Sequence, residues 1–223
     1  MSDRRAPVPE GGRSLKDARL YLVAPARLVA GSLAELVPEL AAAGVDLVQL
    51  REKALEAGDV LRAGEPVARA CRDAGIPFIV NDRPDVALAL GADGAHVGQN
   101  DIPAELARRL LPDGIIGLST HSPGQVEAAL ERADIDYIAV GPVYPTPTKP
   151  GRPAAGPALV RHAAAAKPAL PWFAIGGIGE RTVDAVMAAG ARRIVVVRAI
   201  TEASDPPAAA ARLKAMLAGA DPA

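Results

Sequence analysis

Short runs of aliphatic and β-branched residues recur along the chain, each followed by a longer alanine-rich stretch. The runs read RLYLVA (19–24), VDLVQLR (45–51), PFIVN (77–81), GAHVG (94–98), IIGLS (115–119), DYIAVG (136–141), WFAIG (172–176) and RIVVVRA (193–199). Their length and residue types predict strands. Between them, segments such as SLAELVPELAAAG, DVLRAGEPVARACRDAG, PGQVEAALERA and PPAAAARLKAMLAG carry apolar residues at helical period. Start and stop signals agree with that division. Ser32 with Glu35 and Ser122 with Gln125 form capping boxes, and Gly44, Gly75, Gly91 and Gly190 are placed to close helices.

Runs such as IVVV suit strands buried on both faces, as in a parallel sheet. Eight strand–helix units in about 200 residues match the lower size range of a (β/α)8 barrel. The rival, a doubly wound open sheet, loses its dinucleotide-binding version because no G-x-G-x-x-G follows the first run. The expected fold is therefore α/β, a single (β/α)8 TIM barrel over residues 18–219, preceded by a flexible tail over residues 1–17. In such a barrel the chemistry sits where strands end and lead into helices.

Composition narrows the partners. The chain has 223 residues, half of them apolar, enough for one well-buried core. A net charge of −1 and 3% aromatics argue against nucleic acid or an anionic membrane surface as a partner. No run approaches the roughly 20 apolar residues of a membrane span, and the first residues lack the apolar core of a signal peptide. With one cysteine, Cys71, inside a predicted helix, a cytoplasmic protein without disulfides is expected. Lysine is scarce: Lys16, Lys53, Lys149, Lys167 and Lys214 are the only ones among 25 basic side chains, so a lysine inside a motif is a mild flag.

Polar residues gather after the strands. In VQLREK, Gln49, Arg51 and Lys53 share one face at the strand period of two. They make either a ladder of donors for an anionic ligand or, for the latter two, solvated loop cations. Gln49 lies within the apolar run and favours the ladder. Asp82 in VNDRP and Asp101 in GQNDIP each precede a proline by two residues. That spacing fits a helix cap, and it equally fits two carboxylates holding Mg2+ together with phosphate oxygens. Ser119, Thr120 and His121 follow the fifth strand; a Ser–His nucleophile has no evident orienting carboxylate nearby. His96 reads as a hydrogen-bonded core histidine.

After the sixth strand comes YPTPTKPGRP (144–153). Proline stiffens itself and its predecessor, so Thr146 and Thr148 lose freedom before any ligand arrives. Their hydroxyls and the Lys149 ammonium suit phosphate oxygens; a rigid polar spacer is the alternative. Gly176 and Gly177 after the seventh strand would let an anion approach backbone N–H groups, or serve a tight turn.

Taken together, VQLREK, FIVNDRPDVALALGADGAHVGQND, GLSTHS, AVGPVYPTPTKPG and AIGGI resemble the thiamine-phosphate synthase (thiamine-phosphate pyrophosphorylase) family, in order and across residues 19 to 217. The resemblance implies a transferase of thiamine biosynthesis. Such an enzyme joins an aminopyrimidine methyl diphosphate to the nitrogen of a thiazole phosphate, forms thiamine phosphate and releases pyrophosphate in a dissociative, Mg2+-assisted reaction. It implies a pyrimidine diphosphate site at Gln49, Arg51, Lys53, Asn81, Ser119 and Lys149, with Arg51, Lys53, Lys149 and Ser119 as the catalytic groups. Asp82 and Asp101 become the Mg2+ ligands, and Thr146, Thr148, Gly177, Val197 and Arg198 the thiazole phosphate contacts. Many relatives carry serine where Arg198 stands. The arginine either reaches the phosphate with its fork or turns aside while the backbone N–H binds. Two alternatives are a thiazole tautomerase-type relative and a non-catalytic binder of phosphorylated thiamine precursors; retention of the diphosphate and metal residues argues against both.

Overall fold

The inward and outward faces of eight short strands organise the structure, a computed structural model that describes residues 15–146, 153–166 and 168–219. The strands are β1 (Leu20–Ala24), β2 (Leu47–Leu50), β3 (Phe78–Asn81), β4 (Gly94–Val97), β5 (Ile115–Thr120), β6 (Tyr137–Val140), β7 (Trp172–Ile175) and β8 (Ile194–Val196). Each runs parallel to its neighbours in chain order, and β1 pairs with both β2 and β8, so the sheet closes into a barrel. Eight helices follow the strands: α1 (Leu33–Ala42), α2 (Ala57–Ala74), α3 (Pro84–Leu90), α4 (Ala104–Leu110), α5 (Pro123–Leu130), α6 (Gly156–Ala165), α7 (Val183–Ala188) and α8 (Pro206–Ala218). This is the (β/α)8 barrel that the alternating runs predict. No helix among the described residues is long and apolar enough to cross a membrane.

Side chains alternate across each strand, which splits the core in two. Leu20, Leu22 and Ala24 of β1 face the helices, with Val48, Leu50, Val80, Ile138 and Val196 in the same layer. Tyr21 and Val23 face the lumen, with Leu47, Ile79, Tyr137, Phe173 and Val195. Leu15 and Ala18 pack against that inner cluster and are buried. The described chain thus begins three residues before the boundary expected at 18, while residues 1–14 lie outside the described residues. Cys71 is buried in α2 as a small core residue.

Local signals place most boundaries. Ser122 accepts a hydrogen bond from the Gln125 N–H at 3.3 Å, and the Gln125 side chain accepts from the His121 N–H at 2.8 Å. Gly75 and Gly91 end α2 and α3 in the left-handed conformation that glycine adopts without strain. The last aliphatic run behaves differently. Its strand stops at Val196, Val197 leaves extended geometry (φ −121°, ψ −92°), and Arg198–Thr201 form a single helical turn that buries Ile200. Periodicity alone cannot separate a short buried strand from a buried helical turn.

A second device recurs at the opposite end of the barrel. An aspartate placed just before one strand accepts a backbone N–H at the start of the preceding one. Asp46 takes the N–H groups of Arg19 and Leu20 at 2.7 and 2.8 Å, Asp93 that of Phe78 at 2.8 Å, and Asp136 that of Ile116 at 2.7 Å. These N–H groups precede the regular ladder and need a partner once buried. Asp46 is also held by Lys214 of α8 at 2.6 Å, tying the last helix to the barrel floor. Asp46→Ala is therefore expected to lower stability by about 1–3 kcal/mol, because two backbone donors lose their acceptor. A shift of the urea denaturation midpoint checks this; an unchanged midpoint contradicts it.

Candidate active site

The barrel mouth opens into a cavity of about 530 Å³ built from the upper, inward positions of the strands and the loops that follow them. Its floor carries Tyr21, Gln49, His96 and Ser119; Arg51 and Asn81 stand on one side, and Gly176, Gly177, Val197 and Arg198 on the other. Period-two alternation explains the set. Gln49 sits between Leu47, which faces the lumen, and Arg51 at the rim, and it is buried within the sheet. Eight of the residues expected at the site, Gln49, Arg51, Asn81, Ser119, Thr146, Gly177, Val197 and Arg198, line this one cavity. Thr148 and Lys149 lie outside the described residues.

Lys53, Asp82 and Asp101 do not line the cavity; they form a charged cluster beside Arg51, which does. The Lys53 ammonium donates to the Asp82 carboxylate, and Asp101 is within hydrogen-bonding reach of Asp82. Burial, followed by the neighbouring Asp101, pushes the Asp82 carboxyl above its usual value of 3.8, against the pull of Lys53. Burial also lowers the Arg51 guanidinium, opposed by Asp82 and Asp101. Neither aspartate caps the helix that follows: α3 starts from Arg83 and α4 from Pro103, without side-chain caps. Asp101 instead accepts from the Gly98 N–H at 2.8 Å within its own turn. Asp82 holds a positive φ of 63°, which a residue with a side chain adopts at a cost.

Two adjoining carboxylates that repel one another fit a hard divalent cation, which prefers oxygen ligands and keeps several waters. No group of three or more histidines, cysteines and carboxylates among the described residues is arranged to hold a metal. A cation on Asp82 and Asp101 would therefore complete its shell from water and ligand oxygens.

The Ser–His pairing has a different form from the one considered in the sequence. Ser119 pairs with His96, not with the adjacent His121, and the other ring nitrogen of His96 meets the Tyr137 hydroxyl, each at 2.9 Å. His121 donates through Nδ1 to the Gly141 carbonyl at 2.5 Å and lines the cavity wall. His96 is the buried, bonded core histidine expected, and it also forms part of the cavity floor.

The far wall is glycine-built. Gly177 has φ 65°, and a Cβ there would come 2.7 Å from the Cβ of Tyr144. Thr182 shapes the same loop, accepting from the Gly179 N–H at 3.0 Å and donating to the Gly177 carbonyl at 3.1 Å. Arg198 lies 3.6 Å from Glu202, one turn further on. Glu180, Arg181, Thr182 and Glu202 line this wall and were not anticipated. They lie in loop and turn positions where sequence period carries no signal.

Asp82 gives a testable titration. Its raised carboxyl keeps a proton in the native state that the unfolded chain has shed, so native stability from this group falls as pH rises from 3.8 through the raised value. Asp101→Asn removes the second carboxylate. In metal-free protein the Asp82 pKa is expected to move down toward 3.8 and the loss of stability across that window to shrink. Carbon-13 detection of the Asp82 carboxyl reads this directly; an unmoved titration contradicts it.

Residues 20–200 match the family model described as thiamine monophosphate synthase. The chain is 53% identical over 208 residues to the thiamine-phosphate synthase of Acidothermus cellulolyticus, covering 93% of this chain and 98% of that one. It is 53% identical over 210 residues to the Thermobifida fusca protein of the same name, covering 93% and 96%. Among solved structures, the thiamine phosphate pyrophosphorylase of Pyrococcus furiosus superposes with a TM-score of 0.81 at 30% identity, over 91% of this chain and 96% of that chain. The 3-hexulose-6-phosphate synthase of Salmonella typhimurium, at 15% identity and a TM-score of 0.67, covers 91% of this chain and all of its own, and shares the fold alone.

Proposed function

This chain belongs to the thiamine monophosphate synthase family, and we infer that its barrel mouth joins an aminopyrimidine methyl diphosphate to the nitrogen of a thiazole phosphate, releasing pyrophosphate and forming thiamine phosphate. The observation that carries the reading is a cavity with Arg51, backed by the Lys53–Asp82–Asp101 cluster, at one side and the Gly176–Gly177 turn at the other. The reaction needs two anions held apart, with the carbon to be transferred between them.

On the charged side, Arg51 and Lys53, joined by Lys149 from the proline-rich loop, would stabilise the negative charge that grows on the departing diphosphate. Preorganised groups act most strongly where charge develops, in a site that excludes water. Asp82 and Asp101 are the proposed holders of Mg2+, which when bound supplies Lewis-acid stabilisation of the same oxygens. On the other side, Gly177, Thr146, Thr148, Val197 and Arg198 would hold the thiazole phosphate. Gly177 exposes its backbone without a Cβ, and with the Arg198 guanidinium 3.6 Å from Glu202 the backbone N–H of Arg198 would serve as the donor. Gln49, Asn81 and Ser119 would set the pyrimidine between the two anions. Departure of pyrophosphate leaves a pyrimidinylmethyl cation, which the facing thiazole nitrogen captures. Holding both partners in line spares the entropy of their encounter. A dissociative step needs no covalent nucleophile, in keeping with a Ser119–His96 pair that has a phenol, not a carboxylate, behind it.

The purified protein, given both precursors and Mg2+, is expected to form thiamine phosphate and pyrophosphate in equal amounts. Absence of product, or turnover of the thiazole phosphate alone, contradicts the reading. Arg51→Ala and Lys149→Ala are each expected to lower kcat by about 10²–10³, whereas Arg161→Ala in α6 leaves it within about twofold. Equal, small effects from all three would remove the charged side from the reaction.

A further inference from the structure

Arg51, Arg181 and Arg198 line the barrel mouth, and we propose that Arg181 supplies the positive charge that binds the phosphate of the thiazole substrate. The inference rests on the reaction assigned above and names a binding residue for its second anion. Arg51 stands beside Asp82 and Asp101, and both carboxylates act on it. Arg198 faces Glu202 at 3.6 Å. The Arg181 guanidinium has no carboxylate partner among the described residues.

The neighbours of Arg181 show why its charge is left over. Glu180, next to it in the chain, accepts from the Arg212 side chain of α8 at 2.9 Å. Glu202, the other carboxylate on this wall, is opposite Arg198. Each acid that lines the wall is therefore matched to a different arginine, and one positive charge stays uncompensated.

The turn that carries Arg181 is braced from within. Ile178 and Val183 are buried at its base. The Thr182 hydroxyl accepts from the Gly179 N–H at 3.0 Å, and the N–H groups of Thr182 and Val183 both donate to the Gly179 carbonyl at 2.9 Å. Gly179 also sets this turn beside the one that begins at Arg198: a Cβ there would come 3.1 Å from the Cβ of Ala199. Gly177, Arg181 and the Arg198 backbone thus belong to two adjoining turns on one wall of the cavity.

The ligand chemistry calls for such a charge. A phosphate monoester carries about 1.5 to 2 negative charges at neutral pH. The backbone N–H groups at Gly177 and Arg198 and the threonine hydroxyls offer hydrogen bonds without net charge. A guanidinium adds the charge in a planar fork that matches two phosphate oxygens. Arg198 suits the role less well, because turning to the phosphate would leave Glu202 unpaired on the same wall as a second anion.

Steady-state kinetics with each substrate varied in turn tests the assignment. Arg181 is exposed, so its replacement removes charge without opening the core. Arg181→Ala is expected to raise the KM for the thiazole phosphate about tenfold, with kcat and the KM for the pyrimidine diphosphate within about twofold of the wild type. Arg181→Gln, which keeps length and polarity but not charge, is expected to match that loss. Arg198→Ala, which keeps its backbone N–H, is expected to raise the same KM by less. A thiazole phosphate KM unmoved by Arg181→Ala, a wild-type KM in Arg181→Gln, an equal rise for both substrates, or a larger rise in Arg198→Ala overturns the proposal. Absence of product from the wild type is failure of the assigned reaction and takes this proposal with it, whereas product with a KM indifferent to Arg181 is failure of this proposal alone.

Discussion

The lumen of a closed barrel has no water to spare for an unpartnered polar atom, and this chain places several polar side chains there. Tyr21, Gln49, His96, Ser119 and Tyr137 come from five different strand regions, yet each finds its partner in another of them. That requirement fixes more than local geometry. It sets which residues of the inward face can be polar and where a glycine must stand to make room, as Gly117 does beside Tyr137 and His96. Three aromatic rings, Tyr21, Tyr137 and Phe173, meet edge to face below the cavity with centroids 5.5–5.9 Å apart. They form a rigid apolar base, so that the polar row above them serves as a floor.

Above that floor the mouth is asymmetric in charge. Arg51, Lys53, Asp82 and Asp101 crowd one side; burial and then Asp101 raise the Asp82 carboxyl, and burial lowers the Arg51 guanidinium against the pull of both aspartates. The cluster carries both signs in a partly buried place, a costly arrangement that a bound anion and cation would relieve together. The opposite wall relies on glycine backbone and short polar side chains, with Arg198 and Glu180 engaged by Glu202 and Arg212. The mixed-sign cluster behind Arg51 suits a leaving diphosphate with its cation, and the Gly176–Gly177 turn, where no Cβ stands before the backbone, suits a reactant monophosphate. The strained backbone at Asp82 belongs to the charged side, where it aims a carboxylate instead of closing a helix.

Much of this was legible because the barrel repeats two simple periods. Eight aliphatic runs and the capping residues between them predicted the strands and helices. Period two placed Gln49 and Arg51 in the cavity, while Lys53 falls past the end of the strand at Leu50 and outside the lining; the oddity of a glutamine inside an apolar run marked the floor. What stayed hidden was non-local. His96 meets Ser119 and Tyr137 across 23 and 41 residues, so its own surroundings in sequence show only a core histidine. The three aspartates that close the lower strand starts bond across 15 to 27 residues and look like ordinary loop acids until the sheet is assembled. The capping reading of Asp82 and Asp101 gives way because each helix starts later than the spacing suggests, with Arg83 and Pro103 at the cap positions, which leaves the aspartates one and two residues short. Glu180, Arg181, Thr182 and Glu202 enter the wall through a loop and a single helical turn that no periodicity announces.

A crystal structure of the protein with thiamine phosphate, pyrophosphate and Mg2+ bound tests the central claim most directly. The account predicts the phosphate of thiamine phosphate against Gly177, pyrophosphate and the metal beside Arg51 and Asp82, and the pyrimidine over Gln49 and Ser119. Ligands bound outside the barrel mouth, or both anions gathered on the same wall, would contradict it.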